Sequence, residues 1–225
     1  MTKTGITLNP RTLASCRGAR ADMVYFGSEF CQNLLPTPAQ FKRARALAGR
    51  PVALATPLLT GNALAAVEAV LRAHPAGQGR LEVVANDFGL IHLAAGKYAD
   101  RVSLSVGRVL AGYLKSSPNP FLAKFFREHG ISRLEADRPE TVERFSRFGR
   151  LSFSYHAAYT CAGVTRFCPW EKLWTGERCR YSCQRGARKL ESRLLPETLY
   201  LVNAAYFTAG VKPGGGRIDR LVGAL

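Results

Sequence analysis

The sequence predicts an α/β protein: a (β/α)8 TIM-barrel-like fold, abbreviated in places, with a cysteine-rich insertion after the seventh strand. Three observations lead there. Short β-branched or aromatic runs recur eight times along the chain, and amphipathic stretches of helical period lie between them. The 225 residues fall a little below the ~250 usual for such a barrel. Strands that alternate with helices favour a parallel sheet with right-handed crossovers; an open doubly wound sheet is the alternative. Hydrophobic residues make up 47% and charged residues 21%, the balance of a folded domain rather than a disordered tail. The chain reads as one barrel-like domain, 1–225, with a cysteine-rich, cluster-binding segment at 157–190.

In chain order, the expected strands are 5–8 (Gly-Ile-Thr-Leu), 23–26 (Met-Val-Tyr-Phe), 52–55, 81–84, 102–106, 132–136, 151–155 and 198–203. The expected helices between them include 38–48, 62–73, 121–129 and 139–148. Pro139 suits a first helical position, and Glu140 and Glu143 lie toward the positive end of the helix dipole. Gly49, Gly130 and Gly149 stand where three of these helices should stop. The short interval between the first two strands leaves little room for a helix. In either architecture, chemistry should sit beyond the carboxyl ends of the strands.

Lys and Arg number 32 against 16 acidic residues, a net charge of +16. Such a field favours polyanions: RNA, DNA, an anionic membrane surface or an acidic partner protein. The basic residues are spread along the chain, with clusters at Lys42-Arg43-Ala44-Arg45, 144–150 and 178–193, and a solvated surface explains them equally well. RNA binding that falls steeply with salt would separate these readings. No apolar run reaches the roughly 18 residues of a membrane span. The first ten residues lack signal-peptide features. The cytoplasm is therefore expected, a compartment where clustered cysteines point to metal or redox chemistry rather than disulfides.

Six cysteines occur: Cys16, Cys31, Cys161, Cys168, Cys179 and Cys183. Cys31 follows the second expected strand, and the last four occupy the connection after the seventh, so five of the six map to one end of the sheet. Cys16 reads as a small buried apolar side chain. Four converging thiolates suit either an iron–sulfur cluster or zinc. Cys179 and Cys183 have zinc-knuckle spacing, but the six residues between Cys161 and Cys168 do not, and a cube-shaped cluster tolerates looser spacing. Arg166, Arg178, Arg180 and Arg185 would offset the cluster's negative charge. Cys168, Cys179 and Cys183 are the expected ligands, with Cys31 or Cys161 as the fourth.

The stretch His156-Ala-Ala-Tyr-Thr-Cys161, followed by Arg166-Phe167-Cys168 and closed by Cys179 and Cys183, resembles the cysteine signature of the collagenase-like peptidase family U32. Ala21-Asp22-Met23-Val24-Tyr25-Phe26-Gly27 is similar to that family's opening element, and residues 82–89 resemble its mid-chain strand and turn. Tyr25-Phe26-Gly27-Ser28-Glu29-Phe30-Cys31 looks closest to the UbiV-like branch, whose members take part in oxygen-independent hydroxylation for ubiquinone biosynthesis. The resemblance implies Cys31, Cys168, Cys179 and Cys183 as ligands of a 4Fe–4S cluster, with Cys161 extra to the pattern. It implies a redox component or hydroxylase subunit that works with a second family member as a heterodimer. Other relatives hydroxylate tRNA or ribosomal RNA, which gives an RNA-modifying alternative; a non-catalytic subunit of a larger complex is a third.

Peptidase chemistry has little local support. There is no His-Glu-x-x-His helix and no Gly-x-Ser-x-Gly elbow, and His156 with Cys161 is the one conceivable nucleophile pair. His156 is otherwise expected as a hydrogen-bonded group beside the cluster. His74 and His129 are expected at helix ends, and His92 in the core. Asp87 is expected to cap a helix or orient a substrate. Trp170 and Trp174 are expected on one side of a helix, shielding the cluster or stacking on an aromatic substrate. The run 211–217, rich in glycine and basic charge, is expected as a terminal loop or phosphate site after the last strand.

Overall fold

A computed structural model describes residues 2–75, 77–174, 177–213 and 217–223. In chain order its elements are β1 (Lys3–Leu8), β2 (Met23–Gly27), α1 (Pro38–Ala48), β3 (Val52–Ala55), α2 (Gly61–Ala73), β4 (Leu81–Ala85), α3 (Phe88–Lys97) and β5 (Val102–Val106). There follow α4 (Arg108–Leu114), α5 (Asn119–Glu128), β6 (Ile131–Ala136), α6 (Pro139–Ser146) and β7 (Ser152–His156). The last part holds β8 (Tyr159–Val164), β9 (Phe167–Cys168), β10 (Leu173–Trp174), β11 (Arg188–Leu190), β12 (Leu199–Val202), β13 (Ala205–Ala209) and β14 (Ile218–Val222).

Eight strands close a barrel in the order β1-β14-β7-β6-β5-β4-β3-β2, and every neighbouring pair is parallel. The expected fold class is therefore the observed one. Between β1 and β2 only a 3-10 helix, Pro10–Cys16, takes the helix position. Helix α1 starts where Thr37 and Gln40 form a reciprocal capping box before Pro38, and stops at Gly49, whose φ of 59° suits glycine.

The eighth barrel strand is not residues 198–203, as expected, but β14. Residues 198–203 supply β12, which pairs antiparallel with β11 and β13; β8 completes that four-stranded sheet. Strand-like composition does not distinguish a barrel strand from a hairpin arm. The deciding feature is the two-residue turn at Asn203-Ala204, with Asn203 at φ 52°, a short hairpin connection. The true last strand, β14, carries Asp219 and Arg220, charges that mask its strand character. The basic run 211–217 accordingly precedes the last strand, and its glycines 214–216 lie outside the described residues.

The main core lies between barrel and helices. Val24, Phe26, Leu54, Val83, Leu134 and Phe153 alternate outward from the strands onto Phe41, Val67, Leu71, Leu90, Ile91 and Phe145 of the helices. Burying each such side chain contributes about 1.5–3 kcal/mol. The inward positions are unusually polar. Arg220 donates to the Tyr25 hydroxyl at 2.6 Å and to Glu82 at 2.7 Å, and Tyr25 donates to Ser154. Arg133 bridges to Asp219 at 2.6 Å. Branched apolar residues usually fill this space; here ion pairs and hydrogen bonds share it with a small apolar cluster of Met23, Ala53, Ala55, Val84 and Val222.

Candidate functional site

Two neighbourhoods lie beyond the carboxyl ends of the strands, one built from thiols and one from charged groups at the barrel mouth.

The thiol neighbourhood starts at Cys31. After β2 the chain turns sharply, and the Ser28 hydroxyl accepts from the Phe30 and Cys31 amides at 3.1 and 3.2 Å, fixing Cys31 against Leu34, Ala204 and Tyr181. Cys168 ends β9 in a small hairpin with β10, and its carbonyl accepts from the Lys172 amide. Cys183 lies in the 3-10 turn Ser182–Arg185, and Tyr181 before it adopts φ 61°. That turn aims the Tyr181 amide at the Cys179 sulfur, 3.2 Å away, while the Gln184 amide donates to the Cys183 sulfur at 3.4 Å. Gln184 is itself held by Asn9 and Asn203. Cys31, Cys168 and Cys183 are buried and Cys179 is half-buried.

Burial pushes the Cys31 thiol up to about 12, and the thiols of Cys183, Cys168 and Cys179 add to the shift. The same crowding raises Cys183 after burial. Four thiols from opposite ends of the chain thus share one electrostatic neighbourhood. Among the described residues, no three His, Cys, Asp or Glu side chains close on a point suited to a single ion. Soft thiol donors, two of them addressed by N–H···S hydrogen bonds, suit a metal centre that displaces the thiol protons, and the donor set fits an iron–sulfur cluster.

Cys161 belongs elsewhere. It sits on β8, its amide donating to Asp137 at 2.8 Å, and the charges around its thiol are those of Arg108, Asp137 and Glu29. Burial holds that thiol up at about 12, so it is no ready nucleophile. Cys16 is fully buried in the main core, as expected.

The mouth is built from residues at strand ends. Glu29, Asn86, Arg108 and Asp137 follow β2, β4, β5 and β6 within two residues, and His156 ends β7. Arg108 Nε meets Glu29 at 2.8 Å and its guanidinium lies 4.0 Å from Asp137. Asn86 donates to Glu29 and to the Thr56 carbonyl, and accepts from the Val109 and Leu110 amides, so it ties the start of α4 to the loop after β2. A cavity of about 310 Å³ opens above, walled by Arg108, Tyr113, Lys115, Asp137, Arg138 and Cys161.

Beneath it, His156 and Glu135 share a hydrogen bond of 3.0 Å, and Ser105 donates to the other carboxyl oxygen at 2.8 Å. His156 is hydrogen-bonded as expected, but inside the barrel rather than beside the cysteines. Burial, then the Glu29 and Glu82 carboxylates, push Glu135 up to about 8. Burial, then Arg108, push His156 down to about 3. Near neutral pH the pair is a protonated carboxyl against a neutral imidazole. A carboxyl whose folded value is raised adds stability that is complete below its unfolded value, near ~4.3, and lost as pH climbs to about 8. Glu135→Gln should remove that decline, worth a few kcal/mol, from urea unfolding measured across this range. The acid-side slope from His156, whose contribution is lost as pH falls from ~6.5 toward about 3, should persist. An unchanged decline in the variant would assign the titration to another group.

Other expectations resolve individually. Asp87 is a helix cap, accepting from Leu90. His74 caps α2, with Arg45 on one ring nitrogen and the Gly79 carbonyl on the other, and His129 closes α5. His92 is exposed rather than in the core, because α3 buries its Leu90, Ile91 and Ala94 face. Trp170 and Trp174 share no helix. Trp174 lies on β10, 61% exposed and edge-on to Phe167, while Trp170 donates to the Asn203 carbonyl under the Arg188 guanidinium.

No protein-family model matches the sequence, and the comparison with curated proteins gives no match. Among solved structures, the fold is similar to that of the U32 peptidase Mk0906, with a TM-score of 0.51 and 13% identity over 99% of this chain and 92% of that one. At that identity the likeness speaks for the fold alone, not for an activity. No helix among the described residues is long and apolar enough to cross a membrane.

Proposed function

We propose that this is an iron–sulfur protein of the U32-like group, holding one 4Fe–4S cluster through Cys31, Cys168, Cys179 and Cys183. Its role is that of a redox component or subunit in an oxygen-independent hydroxylation, with a second protein supplying part of the site. The observation that carries this reading is the gathering of these four thiols, one from the loop after β2 and three from the insertion after β7. Spacing alone left Cys31 and Cys161 as equal candidates; the separate surroundings of Cys161 favour Cys31. Peptide hydrolysis is not supported, since His156 is engaged with Glu135 and Cys161 keeps its proton.

The cluster, when bound, supplies a site that accepts and returns single electrons. The chain's own cysteines would hold it, with Leu34 and Ala204 packed against Cys31; in the separate mouth cavity the mixture of Tyr113, charged walls and small side chains suits a polar ring compound. Electron paramagnetic resonance of anoxically purified protein tests the redox role. Reduction with dithionite should produce a cluster signal that disappears on reoxidation and returns on a second reduction. A protein that stays silent through such a cycle, with zinc bound in its place, would refute it.

A further inference from the structure

The Glu29–Arg108 pair belongs to the mouth, and the chain links it directly to the thiol neighbourhood. Glu29 is two residues from Cys31, and both ends of this short stretch are fixed. Ser28 holds the Cys31 amide at 3.2 Å. The Glu29 carboxylate takes the Arg108 amide and the Arg108 Nε, each at 2.8 Å, with Asn86 on one oxygen at 3.3 Å. The guanidinium also lies 4.7 Å from the ring centre of Phe30, the residue between Glu29 and Cys31. Phe30 in turn packs edge-on against Phe207 of β13. Both charged side chains are nearly inaccessible, with 4% and 6% of their surface exposed. Their fields therefore reach their surroundings with little screening by salt or water.

We infer that the buried Glu29–Arg108 ion pair tunes the reduction potential of the cluster held by Cys31 and its three partners. The inference rests on the iron–sulfur reading above and assigns the pair a positioning and charge-setting role. Balanced, the two charges largely cancel at the cluster. Removing Glu29 leaves a bare cation that favours the electron-rich state; removing Arg108 leaves a bare anion that opposes it. Arg108 also walls the mouth cavity, so a charged occupant of the mouth would act on the same pair.

The test is an anoxic redox titration, followed by the resonance signal of the reduced protein, with iron and sulfide counted on every sample. Glu29→Gln should raise the potential and Arg108→Gln should lower it. Each should change the reduced-to-oxidised ratio about tenfold, or about 59 mV for one electron. The double variant Glu29→Gln/Arg108→Gln should return close to the unmodified protein. A general loosening of the fold would not give opposite signs that cancel. Iron-replete Glu29→Gln protein with an unchanged or lowered potential would overturn the inference, even if Arg108→Gln fails to fold. Absence of iron from the unmodified protein would instead refute the cluster itself.

Discussion

Gly27→Ala is expected to cost about 4 kcal/mol, the sum of backbone strain and overpacking. Gly27 ends β2 at φ 126°, a conformation that side chains rarely adopt, and a Cβ there would stand 2.3 Å from the Ala55 carbonyl oxygen of β3. The obstructing atom is barrel backbone and cannot swing aside. The strain falls on the turn that delivers Ser28, Glu29 and Cys31, so loss of iron should accompany loss of stability. Gly49→Ala is the matched control. Gly49 also has positive φ, 59°, but its Cβ would meet nothing within 4 Å, and its cost should stay near 1 kcal/mol. Urea unfolding of both variants beside the unmodified protein measures the contrast; equal costs would mean that the close approach to Ala55 is relieved.

If the proposed cluster is bound, Cys179→Ser is expected to bleach its brown colour and remove most of the iron. The sulfur it deletes is one the Tyr181 amide already addresses, and a serine hydroxyl is a far poorer ligand for iron. Cys161→Ser should keep both colour and iron, because its neighbours are Arg108, Asp137 and Glu29 rather than the other thiols. Iron analysis of the two variants, purified without oxygen, decides the ligand set. Loss of iron from Cys161→Ser with retention in Cys31→Ser would exchange the fourth ligand.

Much of the barrel could be read from residue pattern because its parallel strands are short apolar runs bounded by strong signals. Thr37-Pro38 and Gly49 bracket α1 within the bounds expected, and Pro139 opens α6. The eighth strand escaped because Ile218-Asp219-Arg220-Leu221-Val222 carries charges that only the closed barrel explains. Arg220 faces Glu82 and Tyr25 across the interior, pairings 138 and 195 residues apart in the chain. The thiols were legible as residues, but the separation of Cys161 from the rest depends on the antiparallel sheet that carries it, a tertiary fact. The mouth charges were overlooked because Glu29, Arg108 and Asp137 look like ordinary surface residues one at a time. Their common position, just past a strand end, was the available signal. Asp87, the more conspicuous residue in sequence, caps a helix, whereas its neighbour Asn86 turns into the mouth.

We propose that four thiols drawn from both ends of the chain hold an iron–sulfur cluster. It is tested most directly by purifying the protein without oxygen, recording its visible absorption, and measuring iron, acid-labile sulfide and zinc on the same sample. A broad band in the blue with roughly four irons and four sulfides per chain is expected. Stoichiometric zinc without iron or sulfide would contradict it, leaving the barrel as described but ending the redox reading.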